Sequence, residues 1–289
     1  MTATALHAEI GPVRQGWGAL LWIALLTALW IALNYAVPSI AASGMPTVTS
    51  RVSIHVLLAL GLWLGLERVD LTPTQRRNFW LAVMIPYTLW LGLIWGAAIN
   101  GVFRAGVSPV PLTPLAIFLP VIIGAPILLA SRRIGQVLDA MPTTWLVALQ
   151  VYRVLGSAFL IGWALGAVPG IFALPAGTGD VITGLLALPV AISLAAGTIE
   201  GRRAAIAWNI FGLLDFTVAV GIGLATSPGP LQLIVPAVTN AQLGTYPTVM
   251  IPAFAVPSSI LLHALSLRQL YRRARRAATA APVEALALA

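Results

Sequence analysis

Residues 148–163 read ALQVYRVLGSAFLIGW, an apolar run broken by one charge, Arg153. As a soluble segment it is a core helix with an arginine in its middle. As a membrane segment it is a span carrying a charge near the bilayer centre. Length separates the two. The apolar stretch extends from Thr144 to Ala167, and a bilayer-spanning helix needs about 20 mostly apolar residues.

The remainder of the chain agrees with the second reading. Only 8% of its 289 residues are charged, 59% are hydrophobic and the mean hydropathy is +0.95, whereas soluble domains carry about a quarter charged residues. Further runs of spanning length lie at Trp17–Val37, Val52–Leu66, Phe79–Asn100, Leu112–Ser131, Thr178–Gly197, Arg203–Ala225 and Val249–Leu267. The expected fold is an all-α integral membrane protein, a bundle of about eight transmembrane helices with cytoplasmic N- and C-termini. Residues 1–272 form one polytopic domain and residues 273–289 a basic cytoplasmic tail, expected to be frayed or disordered. The expected location is a cell membrane, crossed several times, of the bacterial inner-membrane type.

The basic residues, all arginine, support the count. With eight spans and an inside N-terminus, the inside segments hold Arg14, Arg68, Arg76, Arg77, Arg132, Arg133, Arg202, Arg203, Arg268, Arg272, Arg273, Arg275 and Arg276, and the outside segments hold Arg51 and Arg104. Cytoplasmic loops carry such an excess. Arg153 alone falls inside a span. The net charge of +8 is therefore a topology signal and a set of contacts to anionic lipid, chiefly through the tail RQLYRRARR (268–276), and not a nucleic-acid surface.

Composition also excludes chemistry. The absence of cysteine removes disulfides, thiolate metal sites and thiol nucleophiles. The absence of lysine removes Schiff-base cofactors. No HExxH, Walker loop, nucleophile elbow or paired catalytic carboxylates occur, and no metal or cofactor is expected. The first apolar run exceeds a signal-peptide core and reads as a retained helix, although SIAASG (39–44) mimics a small-residue cleavage site.

Two connections have character of their own. RRIGQVLDAMP (132–142) spaces Ile134, Val137, Leu138 and Met141 as one helical face, which predicts a short helix in the inner headgroup region. Residues 227–248, SPGPLQLIVPAVTNAQLGTYPT, are apolar but broken by prolines, which predicts a segment that caps the outer face or dips into it. Pro114, Pro120 and Pro126 in the fourth span and Pro252 and Pro257 in the eighth mark kinked helices with free carbonyls or, as the favoured reading, reflect only that proline is common in membrane helices.

Ionisable residues inside spans usually face a bundle interior, since a central charge costs at least about 2.5–3.5 kcal/mol. At 1.5 Å per residue, Arg153 lies roughly 14 Å from the inner end of the fifth span and Asp215 roughly 17–18 Å along the seventh. The two are level, and an interhelical Arg153–Asp215 pair is expected. Gln150, Arg153 and Ser157 share one helical face, and Asn209 lies near the level of Gln150.

Asp180, in FALPAGTGD (172–180), has two readings. As the favoured one, PAGTGD is a turn in which Thr178 or Asp180 caps the sixth helix. In the other, the carboxylate stands at the mouth of a solute cavity. His55 and His263 fall near opposite ends of their spans, too far apart to share a haem iron, and each reads as a hydrogen-bonded interfacial histidine. Thr27, Trp30 and Asn34 form a polar stripe on the first span, read as helix packing.

Three functions fit. The first is transport or binding of a small solute through a cavity near Arg153 and Asp215, with Gln150, Ser157, Asn209 and Asp180 in the charge network. The second is a structural or accessory protein without substrate, in which the ion pair sets helix register. The third is a membrane enzyme acting on a lipid or isoprenoid, with Asp180 or His55 as acid–base residue.

Overall fold

The computed structural model describes residues 12–37, 39 and 44–287. Residues 40–43 of the cleavage-like segment lie outside the described residues, as do residues 1–11. The regular structure of the described residues is helix alone, without strands, and eight of these helices are long and apolar enough to cross a membrane. We label the helices α1 (Pro12–Ala36), α2 (Met45–Glu67), α3 (Pro73–Ile99), α4 (Leu112–Ala130), the short α5 (Arg132–Ala140), α6 (Thr144–Ala164), α7 (Gly170–Ala195), α8 (Ile199–Thr226) and α9 (Val256–Ala287). Leucines and isoleucines such as Leu21, Leu89, Leu93, Ile122 and Ile127 are left uncovered on the outer faces. A surface of this kind is compatible with a multi-pass membrane protein.

Local chemistry sets several helix starts. At α3, Thr72 accepts from the backbone of Gln75 (3.3 Å) while the Gln75 side chain accepts from the backbone of Thr72 (3.2 Å), with Pro73 following. This reciprocal cap satisfies two donors that a helix start leaves free. Thr198 caps α8 through Gly201 N (3.0 Å) and Ser131 caps α5 through Ile134 N (3.2 Å).

Two helices depart from regular α geometry where they approach the interior. Residues Gln150–Gly156 of α6 form a 3₁₀ segment. Its tighter turn aligns every third residue, so Gln150, Arg153 and Gly156 share the buried face. A π turn over Ile251–Ala255, containing Pro252, precedes α9. It absorbs the backbone disruption expected from Pro252 and Pro257.

The centre of the bundle is α7, which packs against α1, α6 and α8, while α9 closes the other side against α4 and α8. The sequence places the start of α7 at Thr178, because Pro175, Gly177 and Gly179 resemble a turn. The helix instead starts at Gly170, after Pro169. Interior glycines cost about 1 kcal/mol each against alanine, but here they admit close neighbours. A methyl on Gly177 would stand 2.7 Å from Leu160 of α6. Tertiary packing overrides the local preference.

At the arginine-rich end, α5 forms as its spacing predicts. Its apolar face is covered by protein: Ile134, Val137, Leu138 and Met141 are buried among residues of α2, α3 and α9. Arg268 donates to the carbonyls of Leu128 and Ser131 (2.9 Å each), Gln269 to those of Leu138 (2.6 Å) and Met141 (3.0 Å), and Asp139 pairs with Arg272 and Arg276. Residues 273–287 continue α9, and the alanines and arginines that precede Pro282 are strong helix formers.

At the opposite end, residues 227–248 fold over the bundle. Asn240 is buried and donates to Thr226 Oγ1 (2.8 Å), and Gly244 packs against the carbonyl of Phe103. Asp139→Asn is expected to lower stability by about 1 kcal/mol and to increase hydrogen exchange in residues 268–279. Exchange mass spectrometry in detergent checks this, and unchanged protection there argues against Asp139 as the latch.

Candidate functional site

Arg153 emerges from the 3₁₀ segment of α6 with its side chain 1% exposed. Four groups meet it. Nε donates to Asp180 Oδ1 of α7 (2.7 Å), Nη2 donates to Asp215 Oδ2 of α8, and Nη1 faces both the Gly212 carbonyl (3.4 Å) and His263 Nε2 of α9 (3.2 Å). The guanidinium also lies over the Phe216 ring, 3.9 Å from its centroid, an electrostatically favourable placement for a cation.

The expected Arg153–Asp215 pair is therefore present, but as part of a triad. Asp180 is the third member and not a helix cap. Because α7 begins at Gly170, Asp180 lies ten residues inside the helix, where the helical N–H groups already have partners. Its side chain is 14% exposed, against 5% for Asp215.

Glycines make the convergence possible. A methyl on Gly156 would occupy the space of the Asp180 carboxylate, and one on Gly179 that of Asp215. On Gly212 it would come 2.5 Å from His263 Nε2 and 3.0 Å from Arg153 Nη1. Each of α6, α7 and α8 thus leaves out one side chain to admit a polar group from a neighbouring helix.

A second layer orients the first. Asn209 donates through its amide nitrogen to Ala205 O (2.7 Å) and Ser266 Oγ (3.1 Å), so its oxygen accepts from His263 Nδ1 (2.9 Å). A histidine donating at Nδ1 presents Nε2 as an acceptor to Arg153. Trp208 packs 5.0 Å from the His263 ring and donates to Thr183 O (3.0 Å). Every polar arm of Arg153 is met, which is how a buried charge is tolerated.

The other residues expected from the sequence fall as follows. Gln150 is buried but turns away, donating to Ser259 O of α9 (3.3 Å). Ser157 is buried without a hydrogen-bond partner among the described residues. Asn209 serves His263. His55 lies in a different cluster, bonded to Thr88 Oγ1 (3.0 Å) and stacked on Tyr87. Among the described residues no three of His, Asp and Glu converge as a metal site.

The sequence reading missed His263 as a member of the site, treating it as interfacial. Ser259, His263 and Ser266 repeat at i, i+4, i+7 and mark one polar face of α9, a signal open to the sequence. Arg51 also differs from expectation: α2 starts at Met45, so Arg51 stands inside the helix, 7% exposed, and not in an outer connection.

A cavity of about 130 Å³ reaches this cluster. It opens between residues 102–114 and 227–244, passes Phe159, Phe172 and Ala176, and meets Asp180 and Phe216 at depth. Its charged lining residues are Arg104 and Asp180, and most of the wall is apolar. The geometry offers a solute an apolar channel ending on a carboxylate whose charge is shared with Arg153.

A family model described as Domain of unknown function (DUF8737) matches residues 110–271, more than half of the chain. The match takes in Arg153, Asp180, Asp215 and His263, while α1 to α3 lie outside it. No curated protein and no solved structure matches the chain.

The triad changes what neutralisation requires. Arg153→Met alone leaves two buried carboxylates without a counter-charge and is expected to cost about 3–5 kcal/mol. Arg153→Met with Asp215→Leu still strands Asp180, so adding Asp180→Leu is expected to recover stability. Unfolding midpoints of the three variants in detergent check the order, and a double variant as stable as the triple contradicts the role of Asp180. Gly156→Ala is expected to cost about 1–3 kcal/mol by overpacking against Asp180, measured in the same series.

Proposed function

This chain belongs to the DUF8737 family, and we propose that it is a multi-pass membrane protein with both termini cytoplasmic that binds a small solute and carries it across the membrane. The binding place is the cavity that ends on Asp180, beside Arg153 and Asp215. The orientation follows from the arginines: Arg68, Arg132, Arg133, Arg202, Arg203 and the 268–276 cluster fall on one side of the spans, and an arginine-rich side faces the cytoplasm. The cavity mouth, beside Arg104, is then extracytoplasmic.

The observation that carries the reading is the cavity reaching a buried charge cluster. Ionisable groups at bilayer depth mark solute and ion pathways, and binding pockets combine apolar walls with a few placed polar groups. Phe159, Phe172 and Phe216 supply the walls, and Asp180 supplies an acceptor. The preferred solute is small and largely apolar, with one hydrogen-bond donor or positive group directed at Asp180. Movement across the membrane requires Arg153 to shift its hold between Asp180 and Asp215.

The alternative, a substrate-free accessory protein, draws on a specific observation: each nitrogen of Arg153 already has a partner. In that case the triad only fixes the arrangement of α6, α7 and α8.

The cysteine-free chain suits a direct test. A single Val220→Cys, at a half-buried position of the cavity wall, is expected to react with a membrane-impermeant maleimide from the extracytoplasmic side only, with labelling at least tenfold slower when Ala219→Trp fills the cavity. Solutes that slow labelling are then followed in proteoliposomes, where Asp180→Asn is expected to abolish uptake. A thiol at position 220 that reacts from neither side removes the reading, and uptake unchanged in Asp180→Asn removes the carboxylate from it.

A further inference from the structure

Arg51 is a buried charge that the site described above does not use. It stands six residues into α2, 7% exposed, and does not line the apolar cavity. Its Nε has no hydrogen-bond partner, and its guanidinium forms no ion pair, among the described residues. It lies within electrostatic range of Tyr87, Tyr152 and Asp180. Tyr87 donates its hydroxyl to Ser258 (3.2 Å), the Tyr152 hydroxyl bonds to that of Ser259, and neither oxygen accepts from Arg51. Asp180 supplies a compensating field but no contact to the N–H groups.

A guanidinium has five donors in a fixed fork. Leaving such a group largely out of water without acceptors is costly, and each unsatisfied buried polar group in a structure asks for an explanation; in Arg51 it is Nε that is fully buried and unmet. Arg51 contrasts with Arg153, whose arms are all met.

Other buried polar groups without partners lie on α1 and α6. Gly16 of α1 packs against Pro189 of α7, and the two helices run in opposite directions. Eleven residues further along α1, about 16 Å at 1.5 Å per residue, Thr27 comes level with residue 178, close to Asp180. Trp30 comes level with residue 175. Thr27 Oγ1, Trp30 Nε1 and, beside Gly156, Ser157 Oγ are all buried without hydrogen-bond partners. Thr27, Trp30 and Ser157 thus carry unpartnered donor groups, Asn34 Oδ1 and Gln150 Oε1 are unpartnered acceptors, and Arg51 is the charged group among these residues of α1, α2 and α6.

We propose that Arg51 anchors a second binding site, on α2, that takes a compact oxyanion, a carboxylate or a phosphate. A guanidinium fork matches the paired oxygens of such groups. The site is independent of the apolar cavity, since it uses none of the residues that make its walls. The oxyanion is either a free solute or the phosphate of a lipid headgroup entering beside α2, and the two share the same recognition.

The test is thermal unfolding of the purified full chain, followed by tryptophan fluorescence, with three probes: inorganic phosphate and acetate in detergent, and phosphatidylglycerol against phosphatidylcholine in nanodiscs. At least one probe is expected to raise the midpoint of the wild type by about 4 °C or more. A response to phosphate or acetate assigns a free anion, and a response confined to phosphatidylglycerol assigns a headgroup. In Arg51→Met the response disappears, while the probe-free midpoint is unchanged or higher, because a charge without acceptors has been removed. If Arg51→Met does not fold, Arg51→Lys is expected to need at least tenfold more probe for half the shift, having lost the fork. A wild type that none of the probes moves, or an Arg51 variant that responds like the wild type, overturns the proposal.

Discussion

One guanidinium held between two carboxylates on neighbouring helices governs the interior of this protein. Arg153 cannot leave any of its arms unmet at that depth. Meeting them requires Asp180 from α7, Asp215 from α8 and His263 from α9 to approach the same point. Such an approach is possible only where the intervening helices omit side chains, and the glycines at 156, 179 and 212 lie at those contacts. The 3₁₀ turn of α6 follows the same demand, since it brings Gln150, Arg153 and Gly156 onto one line.

The same cluster explains how a largely apolar bundle acquires a chemical direction. Toward α9 the network continues through His263 and Asn209 to Ser266, every step hydrogen-bonded. Toward residues 102–114 and 227–244 it opens onto the cavity, with Asp180 as the charged group at depth. One face of the triad is thus closed by packing and the other is accessible. That asymmetry is the observation that favours a solute site over a purely structural ion pair in the function proposed for this DUF8737 member.

The two buried arginines illustrate different solutions to one problem. Arg153 is surrounded by acceptors contributed by the chain, and Arg51 is not. Buried charges are ordinarily paired or bound to something, so the difference between the two assigns them different partners: the protein itself for one, an external oxyanion for the other. Asp180 lies in contact with Arg153 and only within electrostatic range of Arg51.

By itself the sequence determined the all-helical fold, the eight apolar helices, the amphipathic α5 and the pairing of Arg153 with Asp215. These depend on length, composition, periodicity and rise per residue, all local quantities. Tertiary structure alone decided that Asp180 is the third member of the cluster. The PAGTGD segment carries turn-forming residues, and only the closeness of α6 and α8 makes a helix with small residues the better solution there. Tertiary structure also moved Arg51 into the interior, because the start of α2 lies seven residues before the apolar run at Val52 begins, at Met45. The cavity is set by how residues 227–248 fold back over the bundle, a non-local arrangement that no periodicity in that proline-broken segment encodes.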